Sequence, residues 1–170
     1  MTQYDRQTKI VIALGSNLGD CSANLEQAVR KMEAFFGAPL VCSSVYRSEP
    51  VEVRDQPWFL NQVAYFETDA PLPPLVILKN LKAIEAQMGR IPGARYGPRL
   101  IDLDLLFYGD WVLETANLTV PHPKLEERSF VLMPLVEILP DFIHPRTGIP
   151  LTEILEQNRP RLARCERMVQ

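Results

Sequence analysis

In the segment LIDLDLLFY (residues 100–108), two carboxylates alternate with apolar residues in what is otherwise a buried-strand pattern. Alternate side chains of a strand lie on the same face, so Asp102 and Asp104 point the same way, about 7 Å apart along the chain. The opposite face carries Ile101, Leu103 and Leu105. The pattern therefore predicts a strand with one face in a core and the other presenting two negative charges.

The segments around this strand predict a split βαβ arrangement. Further strands are indicated at KIVIAL (9–14), PLVCSSVYRS (39–48) and WFLNQVAYFET (58–68). Apolar residues three or four apart predict a helix that ends at Gly37 and another that runs from Pro73 to Gly89. Short helices follow near 129–138 and 151–157. The order β-α-β-β-α-β is typical of an α+β, ferredoxin-like βαββαβ sandwich with an antiparallel sheet, helices on one face, an open face for a site, and a C-terminal extension.

The turn GSNLGD (15–20) follows the first strand and opens the first helix, which invites a phosphate-loop interpretation. It lacks the Lys-Ser/Thr ending of that motif, so the interpretation fails. A turn in which Asp20 or a nearby residue caps the helix fits better. No catalytic role follows from the block.

Length and composition bound the class of protein. A chain of 170 residues predicts one domain over residues 1–170, and a net charge of −3 gives no general argument for a nucleic-acid or membrane partner. Three widely spaced cysteines indicate free thiols in a reducing compartment. The polar N-terminal sequence lacks a secretion signal, and no apolar run approaches the roughly 18 residues that span a bilayer. We expect a cytoplasmic monomer.

Two aspartates on one strand face can share one or two Mg²⁺ ions, because hard cations prefer carboxylate and phosphate oxygens. Taken alone, the pattern is more often a solvated face of a sheet. Arg90, Arg95 and Arg99 lie upstream, and guanidinium groups match phosphate oxygens, although they also balance the aspartates. The segment IPGARYGP (91–98) contains two Gly and two Pro, which indicates a mobile lid over a polyphosphate.

Ordered sequence blocks make this prediction specific. They are ALGSNLGD (13–20), SSVYRSEP (43–50), DQPWFLNQV (55–63), GPRLIDLDLLFYG (97–109), LTVPHP (118–123) and ERSFVLMPL (127–135). Together they resemble the 6-hydroxymethyl-7,8-dihydropterin pyrophosphokinases of folate biosynthesis. The resemblance implies transfer of the β,γ-diphosphoryl unit of ATP to the pterin hydroxymethyl group, with release of AMP.

The resemblance also implies roles for individual residues. Asp102 and Asp104 would bind two Mg²⁺ ions, and Arg90 would reach the phosphates as the loop closes. The ATP site would include Glu85, Arg90, Arg99, Leu105, Thr119, His122 and Arg128. The pterin pocket would be formed by Ser48, Val51, Phe59, Asn61, Tyr96 and Phe130. Its two phenylalanines would lie on either side of the bicycle. Phe59 and Asn61 are two apart in a strand, which puts a ring and an amide on one face.

Three positions depart from the pattern of many relatives. Tyr96 stands where many have Trp, Pro92 where many carry Arg, and Phe59 where some have Tyr. None of these changes touches the acid pair.

Two other functions stay open. One is a different D-x-D nucleotidyl- or phosphotransferase that leaves ADP or diphosphate. The other is a ferredoxin-like binding module for RNA or a small-molecule regulator. The acids on the fourth strand would repel a nucleic-acid backbone, so no nucleic-acid partner is expected.

Overall fold

The computed structural model describes residues 7–91 and 97–169, and it contains eight strands and four α-helices in that part of the chain. The strands are β1 (Thr8–Ser16), β2 (Val41–Cys42), β3 (Tyr46–Ser48), β4 (Phe59–Thr68), β5 (Asp102–Tyr108), β6 (Leu113–Glu114), β7 (Thr119–Val120) and β8 (Cys165–Arg167). The helices are α1 (Cys21–Phe36), α2 (Pro74–Gln87), α3 (Ser129–Ile138) and α4 (Leu151–Asn158). Of the described helices, none has the length and apolar character to cross a bilayer.

The main sheet has the strand order β5-β1-β4-β3-β8, and β2 also pairs with β4. Every pairing is antiparallel, with β4 between β1 and β3. Two helices connect these strands in the order expected of a split βαβ unit. The prediction of an α+β, ferredoxin-like fold with an antiparallel sheet is confirmed.

The prediction of one strand over residues 39–48 is wrong, because the segment forms the two short strands β2 and β3. The pairing of Cys42 with Ala64 and of Tyr46 with Asn61 leaves three residues opposite two. Ser43 lies in this bulge, and its hydroxyl accepts a hydrogen bond from the backbone N–H of Val63 at 3.0 Å. A side chain thus replaces a backbone partner, which interrupts the ladder.

One face of the sheet packs on α1 and α2 through the core predicted from sequence. Ile101, Leu103 and Leu105 are buried in it, together with Leu25 of α1 and Leu81 of α2. Asp20 caps α1 as predicted, since its carboxylate accepts from the N–H of Ala23 at 3.1 Å. Gly37 ends the helix with φ of 67°, a left-handed conformation that glycine adopts readily.

The other face is only half open, which corrects the expectation of an uncovered sheet. Val11 pairs with Phe107 and Ile12 with Leu105, so Leu106 is an extra residue in β5. This bulge turns both Leu106 and Phe107 toward a second core formed with α3 and α4. Among the described residues, the C-terminal extension therefore covers one end of the face, and the end that bears the two aspartates opens to a cavity.

The remaining elements extend this framework and were not predicted. The short strand β8 adds to the edge of the sheet beside β3, and β6 pairs with β7 as a separate hairpin. The three cysteines are free thiols, as expected.

Candidate active site

A cavity of about 470 Å³ opens over the accessible end of the sheet. Its floor is formed by β1, β4 and β5, and its walls by the segments after β3 and β7 and by the start of α3. Most of the residues singled out from the sequence line it: Ser48, Val51, Phe59, Asn61, Arg90, Arg99, Asp102, Asp104, His122, Arg128 and Phe130. The fold thus brings together residues that are far apart in the sequence.

Three of the expected ATP-site residues do not line this cavity. The side chain of Leu105 faces the opposite side of the sheet, in the core under α1 and α2. Thr119 lies in β7 and is not among the residues that line the cavity. Glu85 is 2 % exposed in α2 and accepts from the N–H of Leu103 at 2.7 Å, so it anchors the helix to β5. Tyr96 lies outside the described residues.

The carboxylate of Asp102 is held by two arginines. Arg90 donates to Asp102 Oδ1 at 2.7 Å and also contacts Glu85, and Arg99 donates to Asp102 Oδ2 at 3.1 Å. Burial by itself would raise the pKa of Asp102, but Arg99, Lys82 and Arg90 together hold that pKa below its ordinary value. Arg90 is therefore at the acid pair in this structure, and its arrival on loop closure stays a prediction.

The carboxylate of Asp104 is less well compensated. It forms a long ion pair with Lys82, in which Nζ lies 3.9 Å from Oδ1. The same Nζ also donates to Glu85 at 2.9 Å. Burial raises the pKa of Asp104, and the neighbouring charge of Asp102 raises it further. The pKa of Asp102 is thus lowered, whereas that of Asp104 is raised. A further positive charge beside Asp104 would be stabilised.

The acid pair fits Mg²⁺ that arrives with a nucleotide. Mg²⁺ usually keeps several waters and is held by one or two carboxylates together with substrate phosphates. Across residues 7–91 and 97–169, no group of three or more His, Cys, Asp or Glu side chains could hold an ion by itself. The donor set thus suits a shared, substrate-borne metal better than a closed protein cage.

Basic groups from the C-terminal part line the facing wall. The backbone N–H of His122 donates to the carbonyl of Leu106 at 3.0 Å, which ties this wall to β5. Its Nδ1 accepts from the N–H of Lys124 at 3.2 Å, so in the neutral ring Nε2 carries the proton. Burial lowers the pKa of His122, although Asp104 favours the charged ring. Glu52 pairs with Lys124 at 3.1 Å and with Arg128 at 3.8 Å.

The other end of the cavity combines aromatic rings with an amide. Phe59 and Phe130 line it from β4 and α3. Asn61 is 4 % exposed, and its Nδ2 donates to Ser48 Oγ at 2.9 Å. Gly15 leaves room for this amide, because a Cβ at position 15 would lie 3.3 Å from Asn61 Oδ1. The arrangement can stack a flat heterocycle and pair its polar edge.

Sequence reasoning missed several residues of the site. Lys82 lies one helical turn before Glu85, and that i,i+3 spacing could have identified it. Gln56, Glu52 and Lys124 line the cavity from irregular segments that carry no periodic signal. Asn17 hydrogen-bonds Gln56 and Arg99, which both line the cavity. These partners are distant from it in sequence, so no local pattern reveals the contacts.

Comparisons with known proteins give matches over most of the chain. Residues 11–140 match the family described as 7,8-dihydro-6-hydroxymethylpterin-pyrophosphokinase. The chain is 42 % identical over 148 residues to the 2-amino-4-hydroxy-6-hydroxymethyldihydropteridine pyrophosphokinase of Synechocystis, covering 86 % of this chain and 74 % of that protein. It is 40 % identical over 147 residues to the enzyme of that name from Haemophilus influenzae, covering 86 % and 90 %.

Longer proteins also contain a matching region. The folic acid synthesis protein fol1 of Schizosaccharomyces pombe is 41 % identical over 147 residues, but the match covers 86 % of this chain and only 20 % of that protein. A crystal structure of a Plasmodium falciparum HPPK-DHPS triple mutant superposes with a TM-score of 0.71 at 15 % identity, covering 94 % of this chain and 43 % of that one. This likeness concerns the fold alone. On the family match and the identity to the single-function enzymes, the chain belongs to the 7,8-dihydro-6-hydroxymethylpterin-pyrophosphokinase family.

Proposed function

We propose a role for each part of the cavity in the reaction that this pyrophosphokinase catalyses. The chain transfers pyrophosphate from ATP to hydroxymethyldihydropterin in folate synthesis. In our proposal the hydroxymethyl oxygen attacks the β-phosphorus of ATP and gives up its proton to solvent water, the bond from that phosphorus to the α,β-bridging oxygen breaks, and AMP leaves. The β,γ-diphosphoryl unit then remains on the pterin.

The observation that carries this proposal is the division of one cavity into a charged end and an aromatic end. Asp102 and Asp104 face the same space as Phe59, Asn61 and the wall from α3. A triphosphate with its metal suits the first end, and a pterin suits the second. The reacting oxygen and phosphorus would then meet between them, so positioning supplies much of the rate.

At the charged end, Asp102 and Asp104 would hold two Mg²⁺ ions, which when bound supply charge neutralisation at the phosphates. Arg99, His122 and Arg128 would bind phosphate oxygens, because each lines this part of the cavity. Arg90 would exchange its contact with Asp102 for the transferring group and stabilise charge that develops there. Glu85 would not contact the substrates but would orient Arg90, with which its carboxylate forms an ion pair.

At the aromatic end, Phe59 and Phe130 would stack on the two faces of the pterin. Asn61 would accept from and donate to the pterin edge. Its Nδ2 donates to Ser48 Oγ, and this contact fixes the orientation of the amide. Backbone groups near Ser48 and Val51 would complete this side, and Tyr96 is proposed as a cover. Leu105 and Thr119 would contribute to the nucleoside site only through backbone atoms or their neighbours, since neither side chain lines the cavity.

The nucleotide product tests the proposal. Protein, Mg-ATP and 6-hydroxymethyl-7,8-dihydropterin should give AMP and the pterin diphosphate in equal amounts, measured by chromatography. ADP as the product would overturn the assignment and favour another phosphotransferase. Asp104→Asn should abolish product formation, while Asp110→Asn, in the exposed turn after β5, serves as the matched control and should not.

Several coarser expectations accompany the proposal. We propose one domain over residues 1–170, a monomer, a cytoplasmic location, and no nucleic-acid partner. Gel filtration of the purified chain with light scattering tests the monomer, since a mass near twice 19.4 kDa would contradict it.

A further inference from the structure

The block GSNLGD contains a residue whose contacts the proposed function has not used. Asp20 accounts for the cap of α1, but Asn17 plays no part in that cap. Asn17 is 2 % exposed, although it directly follows β1. A buried amide at a turn needs partners for both its donor and its acceptor, so its contacts indicate what it holds together.

On one side Asn17 holds the backbone of Arg99. Its Oδ1 accepts from the N–H of Arg99 at 2.9 Å, and its own backbone N–H donates to the carbonyl of Arg99 at 3.1 Å. Both backbone polar groups of one residue are thereby fixed. The guanidinium of Arg99 donates to Asp102 at 3.1 Å, so Asn17 fixes the backbone position from which the Arg99 side chain extends to that acid.

On the other side Asn17 holds the segment that leads into β4. Its Nδ2 donates to Gln56 Oε1 at 3.0 Å and to the carbonyl of Pro57 at 3.1 Å. Gln56 in turn donates to the carbonyl of Val53 at 2.7 Å and lines the cavity, and Phe59 follows two residues after Pro57. The amide has a fixed orientation, because one end faces an N–H and the other faces carbonyl oxygens.

We propose that Asn17 is a positioning residue that sets the distance between the phosphate-binding arginine and the pterin-binding segment. Its two ends act on different substrates: Oδ1 serves the nucleotide side through Arg99, and Nδ2 serves the pterin side through residues 56 and 57. This inference rests on the proposed roles of Arg99 and Phe59, and it makes the two halves of the amide separable by substitution.

Asn17→Asp separates them, because it keeps the acceptor for Arg99 and removes the donor to Gln56 and Pro57. Calorimetric titration of the full chain with Mg²⁺ and α,β-methylene-ATP should give a Kd within about twofold of wild type. Titration of that complex with 6-hydroxymethyl-7,8-dihydropterin should show pterin binding weakened about tenfold, the loss expected for one or two hydrogen bonds. Equal changes in both titrations, or no change in either, would overturn the proposal.

Asn24 provides the matched control, since it lies in the first turn of α1 and its Nδ2 contacts the same turn, donating to Ser16 Oγ at 3.1 Å and to the Leu18 carbonyl at 2.9 Å. Asn24→Asp should leave the ratio of the two Kd values unchanged, and the same split there would refute a specific role for Asn17. If Asn17→Asp does not fold, Asn17→Ser removes both contacts without adding charge and should weaken both ligands. A wild-type chain that makes ADP would refute the proposed function, whereas a normal wild type without the split refutes only this inference.

Discussion

Replacing each acid of β5 by its amide should change the stability of the metal-free protein in opposite directions. Asp102→Asn removes the negative charge that Arg90 and Arg99 share and replaces one of their two acceptor oxygens by an N–H donor, so it should destabilise the fold. Asp104→Asn removes a partly buried charge next to another of the same sign, and the ion pair that Asp104 makes within residues 7–91 and 97–169 is the long one with Lys82 at 3.9 Å, so it should stabilise the fold. The sequence alone predicts one effect for both residues, namely relief of repulsion.

The magnitudes follow from the contacts. Like charges about 7 Å apart repel by roughly 2 kcal/mol at an effective dielectric constant near 20. Hydrogen bonds between charged groups contribute about 1.5–3 kcal/mol each, so losing one at Asp102 and leaving the other without its charge exceeds this relief by about 1 kcal/mol. The side chain of Lys82 is 45 % exposed, so its attraction to Asp104 is screened to under about 1 kcal/mol. Asp104→Asn should therefore gain about 1 kcal/mol.

Urea unfolding in EDTA measures both changes, and its pH dependence checks their origin. The pKa of Asp104 is raised from 3.8 in the folded state, so the wild-type protein loses stability as the pH rises from 3.8 through that pKa. The advantage of Asp104→Asn should thus be full at pH 7 and vanish below 3.8. The pKa of Asp102 is lowered, so its stabilisation is full above 3.8 and is lost as the pH falls further.

The sign of the change in unfolding free energy caused by Asp104→Asn tests this prediction. Destabilisation of about 1 kcal/mol or more by Asp104→Asn at pH 7 would contradict the predicted sign and show that neighbouring groups stabilise the Asp104 carboxylate in the metal-free protein. Asp110→Asn, at an exposed position, is the control and should change the free energy of unfolding by less than about 0.5 kcal/mol.

Three further outcomes are expected. Arg90→Ala should lower kcat at least about tenfold more than it weakens Mg-ATP binding, because the side chain acts on the transferring group; equal losses in kinetics and titration would count against that role. Phe59→Leu and Phe130→Leu should each weaken pterin binding about two- to tenfold at unchanged Mg-ATP affinity, because loss of a stacking face costs about 0.5–1.5 kcal/mol; titration measures this, and an effect on the nucleotide alone would contradict it. Tyr46→Phe should lower the free energy of unfolding at pH 7 by about 1–2 kcal/mol, because the phenol donates to Glu137 at 2.6 Å. Burial would raise the pKa of Glu137, but hydrogen bonds from Tyr46 and Ser44 hold it below 4.5. The difference in unfolding free energy between wild type and Tyr46→Phe should therefore shrink as the pH falls below 4.5, and a constant difference down to pH 3 would disprove the link.

The fold was predictable where periodicity and helix signals agree. Asp20, Gly37 and the alternating run at residues 101–105 each determine local structure through one short-range effect. The break between β2 and β3 was not predictable, because the Ser43 hydroxyl competes for the backbone of Val63 only once β4 is alongside. The edge strand β8 carries no pattern that distinguishes it from a tail.

The site was predictable only through residues whose chemistry is conspicuous. Paired acids and clustered arginines signal phosphate chemistry wherever they occur, and the family resemblance supplied the aromatic end. Asn17 and Lys82 escaped because an isolated amide and a helix lysine are ordinary at the surface. The Arg99 partner of Asn17 lies 82 positions away, which no local pattern relates, whereas the i,i+3 spacing of Lys82 and Glu85 is a local signal that was available.

The bulge at Leu106 explains why a C-terminal extension belongs to the site. It turns Leu106 and Phe107 toward α3 and α4, and Val131 of α3 packs in that same core. The first turn of α3 is thereby fixed on the sheet, and Arg128 and Phe130 lie immediately beside that anchor at the cavity. Charged and aromatic walls can face each other only because the apolar end of the same strand holds the helix in place. The two ends of β5 are therefore one functional unit, in which packing at residues 106–107 positions groups that act above residues 102–104.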